Sequence, residues 1–176
     1  MALGLQQRTQ RSGLLAVLGL ALIALAGCAS RPAPAAPPAL IGAWRSGVQF
    51  DGGAFAAIKD LQFLYVFNAG GTMTESSNYD GVPPVPPAYG EWRETGPRQF
   101  TATYTFFTTR PPADVKSLAA GGGWLPAGHG VLTEAIRLAP DGRSFDSTMT
   151  LELFDMTGKP AGGGGTARAH AARMGF

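Results

Sequence analysis

Two stretches of this chain alternate so regularly that they constrain the fold more than any other feature. In residues 61–68, Leu61, Phe63, Tyr65 and Phe67 fall on one face of an extended chain. Gln62, Leu64, Val66 and Asn68 fall on the other. In residues 99–108, Phe100, Ala102, Tyr104 and Phe106 project one way, and Thr101, Thr103 and Thr105 the other. Aromatics facing threonines across a period of two describe a half-buried antiparallel strand.

Weaker copies of the pattern run along the rest of the chain. Strands are expected at 40–45, 72–77, 90–95, 131–138, 143–154 and 166–174 as well. In 143–154, Phe145, Met149, Leu151 and Leu153 oppose Asp146, Thr148, Thr150 and Glu152. In 166–174, small Ala167, Ala169 and Ala171 oppose Thr166, Arg168 and His170. Short turns separate many of these runs: Ala69-Gly70-Gly71, Gly96-Pro97-Arg98, Pro140-Asp141-Gly142 and residues 155–159. Two longer loops are expected. One, at 78–89, contains Val82-Pro83-Pro84-Val85-Pro86-Pro87, whose prolines lack the donor a central strand needs. The other, at 110–129, contains Pro111-Pro112, a helical turn over 113–118 and Gly121-Gly122-Gly123-Trp124.

About eight strands without a long amphipathic helix argue against parallel βαβ architecture. The fold expected is all-β, an antiparallel up-and-down barrel of about eight strands. Two stacked sheets are the other solution for such a meander. Closure is favoured because it removes edge strands from a chain with no possible internal disulfide, the one cysteine being Cys28.

Cys28 belongs to a different part of the molecule. Arg8 and Arg11 form a short basic segment, and 14–25 is an apolar run of Leu, Ala, Val and Ile interrupted by Gly19. A run of about a dozen residues suits an export signal and falls short of the roughly 20 that a spanning helix needs. Leu25-Ala26-Gly27-Cys28 closely resembles the lipobox of bacterial lipoproteins. The resemblance implies that Cys28 is lipidated and becomes the mature N-terminus. An ordinary cleaved signal, with Ala24 and Ala26 at an A-x-A-like site, is the other reading. Residues 1–27 are thus expected to be a signal peptide. Residues 28–39 are expected to form a Pro/Ala-rich tether of polyproline II character, and 40–176 the barrel. The lipid on Cys28 would hold the chain at a membrane of the cell envelope. In a cell with two membranes, Ala29 rather than Asp after the cysteine resembles the signal for outer-membrane sorting.

Charge narrows the partners. The chain has 14 Lys and Arg against 12 Asp and Glu, and loss of Arg8 and Arg11 with the signal leaves 12 against 12. A neutral domain lacks the clustered cations that bind nucleic acid, and it offers no basic patch to a membrane. A monomer is expected.

Gly42-Ala43-Trp44, in the first strand of an eight-strand meander, resembles the G-x-W of lipocalins. In that family the tryptophan closes one end of the barrel. The resemblance implies a lipocalin-like (calycin-type) barrel, and the strand count, the domain length and a basic residue on a late strand, Arg168, are compatible with it. The T-D-Y motif usual in that family and a clear downstream arginine motif have no counterpart.

Candidate chemistry is sparse. His129, between two glycines, is an acid or base or simply a rim residue. His170, Arg168, Glu152 and Asp146 lie on the last two strands. They form either a polar cluster with His170 as general base or a solvated outer face. No G-x-S-x-G elbow, zinc spacing or phosphate loop is present, so no catalytic, metal or cofactor residues are assigned. The leading reading is a barrel that binds or carries a small apolar ligand, with Phe63, Tyr65, Phe67, Phe100, Tyr104 and Phe106 lining its interior. The same rings would equally fill a solid core. A solid barrel points instead to a structural or interaction lipoprotein, and an enzyme is the third reading.

Overall fold

A computed structural model of the chain describes residues 39–79, 87–114, 116–120 and 123–175. The expected signal, Cys28 and the expected tether up to residue 38 lie outside the described residues, as does the Pro-rich centre of the expected 78–89 loop. Eight strands form one closed antiparallel barrel in sequence order: β1 (Gly42–Phe50), β2 (Leu61–Phe67), β3 (Thr72–Ser77), β4 (Ala88–Gly96), β5 (Gln99–Arg110), β6 (Leu125–Leu138), β7 (Ser144–Asp155) and β8 (Gly165–Arg173). Among the described residues one short helix, α1 (Lys116–Ala119), sits between β5 and β6. Closure is made by β1, which pairs with β2 through Trp44↔Tyr65 and with β8 through Ser46↔Ala171.

The alternation in the sequence becomes the inside and outside of the barrel. Leu61, Phe63, Tyr65 and Phe67 are buried while Gln62, Leu64 and Val66 are exposed. Phe100, Ala102 and Tyr104 are buried and Phe106 is half-buried. The alanines of β8 point inward beneath the larger rings of neighbouring strands, so small and large side chains share the taper. Two expectations need correcting. β6 begins at Leu125 rather than 131, because residues 125–130 pair with the far end of β5, from Phe106↔Gly130 to Arg110↔Leu125. Gly130 makes this possible: a Cβ there would lie 2.4 Å from the Phe106 ring. β1 likewise runs on to Phe50, past the expected end at 45.

Connections sort by barrel end. The tight ones, 68–71, 97–98 and 139–143, all lie at one end. Hydrogen bonds such as Gly71 N to Asn68 O (3.1 Å) and Gly142 N to Ala139 O (3.0 Å) close them. The long connections, which leave the barrel after β1, β3, β5 and β7, start and end at the other.

Trp44 plugs the tight end. Its Nε1 donates to Leu40 O at 2.8 Å, and both residues are fully buried. The Arg173 guanidinium lies over its ring, 4.2 Å from the centroid. Arg173 also donates to Gly142 O (3.0 Å), to Ile41 O (2.7 Å) and to Ala39 O, tying the entering chain to the barrel rim. Gly42 has φ +131°, and a Cβ there would lie 2.7 Å from Arg173 Nη1, which accounts for the glycine of Gly42-Ala43-Trp44. The basic residue of the last strand that meets the tryptophan is therefore Arg173. Arg168 points outward and lies 3.7 Å from Asp51 in an exposed pair.

Candidate functional site

The barrel interior divides into three levels. The level nearest the tight end is solid. Trp44 packs against Phe145 (centroids 5.0 Å apart), Phe67 against Tyr65 (5.6 Å, stacked) and against Trp92 (6.0 Å, edge-on), and Trp92 against Phe100 (5.8 Å). Met73, Ile136 and Leu138 complete it, each about as buried as the rings.

The middle level is polar. Alternation along β6 carries Glu134 inward between Leu132 and Ile136, and it is fully buried. Tyr104 Oη donates to Glu134 Oε2 at 3.0 Å and lies 3.8 Å from Met149 Sδ. Glu75, opposite Tyr65 in the β2–β3 register, is 6% exposed. Four atoms here have no hydrogen-bond partner among the described residues: Tyr65 Oη, Glu75 Oε1, Glu134 Oε1 and Ser147 Oγ.

Burial is the main cause that lifts Glu75 to about 8, and the neighbouring Glu134 charge adds to it. Burial also lifts Glu134, to about 7, against the opposing pull of the Ser147, Tyr104 and Tyr65 hydroxyls. Of those three, only Tyr104 stands in hydrogen-bond geometry. The other two act as nearby dipoles. Both tyrosines are pushed well above their ordinary range, by burial first and then by Glu134, and remain protonated phenols.

The third level, toward the long loops, is hollow. A cavity of about 200 Å³ is walled by Phe50, Leu61, Phe63, Phe106, Leu132 and Leu151. Glu75 and Ser77 lie on one side, and Phe55, Tyr79 and residues 107–109 stand around its mouth. Phe55 packs on Phe50 (5.4 Å) and edge-on against Tyr79 (6.0 Å), so the 51–60 loop leans over the opening.

The six aromatics proposed from the sequence fall on all three levels. Phe63 and Phe106 line the cavity. Tyr65 and Tyr104 belong to the polar level. Phe67 and Phe100 lie in the solid level and do not reach the cavity. Glu75, Ser77 and Glu134 were missed, although strict alternation from Met73 and from Leu132 would have put all three inside.

The polar cluster of the last strands is outside the barrel. His170 Nδ1 lies 2.8 Å from Asp146 Oδ1, with side chains 68% and 80% exposed. Glu152 is exposed on β7. His129 also faces outward, stacked on Phe154 at 5.1 Å. None of these residues borders the cavity. No family model, curated protein or solved structure matches the chain.

Proposed function

We propose that this chain is a lipid-anchored protein of the cell envelope whose barrel holds a small apolar ligand in the cavity at its loop end. The observation that carries the ligand reading is the uneven filling of the barrel. One end is packed with aromatic rings. The other leaves about 200 Å³ between Phe and Leu side chains. Interiors normally close to crystal-like density. A void of this size beneath an aromatic loop is the arrangement that a ligand site needs.

The anchor and the cavity are tested separately. Cys28→Ser is expected to leave the precursor unlipidated, so that the protein is either released from the membrane fraction or left unprocessed. A Cys28→Ser protein processed and membrane-bound like the wild type would remove the lipoprotein reading. For the cavity, toluene is a suitable probe, because an engineered apolar cavity of about 150 Å³ is large enough for benzene. Toluene added to the full-length protein should shift methyl resonances of Leu61, Leu132 and Leu151. Leu151→Trp, which fills the space, should abolish that uptake. Absence of toluene binding by the wild type would leave the structural reading, a barrel that serves as a rigid interaction module.

A further inference from the structure

We propose that the ligand is an amine: an apolar body about one aromatic ring in size, carrying a protonated nitrogen that meets Glu75 inside the cavity. This rests on the ligand-holding reading of the same site and gives that ligand a chemical class.

Glu75 is the only Asp, Glu, Lys, Arg or His among the described residues that line the cavity. It is 94% buried, being 6% exposed, and its Oε1 has no hydrogen-bond partner among the described residues. A buried carboxyl oxygen with an open acceptor position is costly, and a ligand N–H is the group that removes the cost. Ser77 lies two residues along β3 on the same face and also borders the cavity; its hydroxyl accepts from Tyr79 N at 3.4 Å and has a second lone pair for a ligand N–H. No Lys or Arg among the described residues lines the cavity, so an anionic head would meet Glu75 without a counter-charge.

The groups facing Glu75 reinforce this choice. Glu134 approaches from β6, and Tyr65 and Tyr104 lie on β2 and β5. All three are acids or neutral phenols, and none supplies positive charge. Burial and the Glu134 charge hold Glu75 toward its neutral form. A cation at Oε1 opposes both effects. Size sets the body of the ligand: a cavity of about 200 Å³ is somewhat larger than the roughly 150 Å³ that holds benzene, leaving room for a ring and a short arm. Phe50, Leu61, Phe63, Leu132 and Leu151 surround the ring, and the arm reaches the β3 side.

The test is a charge series of near-constant shape: 2-phenylethylamine, propylbenzene and 3-phenylpropanoate, titrated into the full-length protein at about pH 9, where Glu75, raised to about 8, is ionised and the amine is still largely protonated. The amine is expected to bind about tenfold to a hundredfold tighter than propylbenzene, the range that a charge-assisted hydrogen bond gives. The carboxylate is expected to bind most weakly. Glu75→Gln should bring the amine down to the affinity of propylbenzene and leave propylbenzene itself unchanged. If Glu75→Gln fails to bind propylbenzene, its fold is disturbed, and the wild-type series decides alone. Equal binding of amine and hydrocarbon, or tightest binding of the carboxylate, overturns the amine proposal and leaves the ligand cavity standing. Failure of all three to bind overturns both.

Discussion

Phe67→Ala is expected to lower the folding free energy by about 3–5 kcal/mol, while Phe63→Ala, on the same strand and face, should cost clearly less. The two rings are almost equally buried, at 1% and 5% exposure, so solvent exposure does not separate them. Their neighbours do. Phe67 is held between Tyr65, Trp92 and Phe145, with centroids 5.6, 6.0 and 6.3 Å away, and its removal opens a void in the solid level. Phe63 already borders empty space, so its truncation enlarges an existing cavity and forfeits fewer packing contacts. Against a total stability of about 5–15 kcal/mol for a domain of this kind, the Phe67 loss is large. It should appear as a lowered denaturant midpoint with an unchanged slope. Phe100, 5.8 Å from Trp92, should behave like Phe67. Equal losses at Phe63 and Phe67 would mean that the loop end is as tightly filled as the Trp44 end, and the cavity reading would fall with them.

Much of this arrangement was legible in the residues, and the reasons are local. A period-two pattern fixes which side of a strand faces inward, so the inward set on β2, β5, β7 and β8 could be read directly. Tight turns rich in glycine and proline gave the meander its order. What alternation cannot give is depth along the barrel axis. Phe63 and Phe67 share a face, yet one borders the cavity and the other lies four residues farther into the packed end. That difference depends on which side chains the other seven strands place at the same level. The pairing of Trp44 with Arg173 rather than Arg168 has the same origin. Both arginines lie on β8, but only Arg173, opposite Trp44 in the β1–β8 register, reaches the ring at the closed end. The long extension of β6 was hidden for another reason. Its first residues, Leu125, Pro126, Ala127 and Gly128, carry turn-like composition, and pairing with the end of β5 overrides local preference there. The inward glutamates were readable in position. Their effect on proton affinity was not, because it comes from burial and from one another.

Those glutamates set the second large effect. Stability is expected to fall as pH rises from about 5 to about 9, and replacing both carboxyls by amides should flatten that fall. Glu75 is raised from its ordinary 4.5 to about 8 and Glu134 from 4.5 to about 7. Between the ordinary and the raised values the folded protein keeps a proton that the unfolded chain has released. The folded state therefore gains stability from these groups at the acid end and loses it as pH climbs through the window. Above about 9 both states are ionised and no further loss follows. A tenfold change in proton affinity is worth about 1.4 kcal/mol, so the loss across the window is on the order of 5 kcal/mol for Glu75 and 3 kcal/mol for Glu134 taken singly. The two face one another, so their contributions do not add. Asp155 acts in the opposite sense and in another range. Hydrogen bonds from Thr157 and Lys159 hold it below the usual carboxylate value, so its contribution is lost only at more acid pH. Glu75→Gln should remove much of the slope without changing side-chain volume. Glu134→Gln should remove part of the remainder, since an amide oxygen can still accept from Tyr104 at the 3.0 Å position. Denaturant midpoints of the full-length wild type, each single variant and the double variant, measured across the window, provide the comparison. A wild-type profile already flat from about pH 5 to about pH 9 would mean that water reaches both carboxyls, and the buried polar level would have to be redrawn as a wet channel.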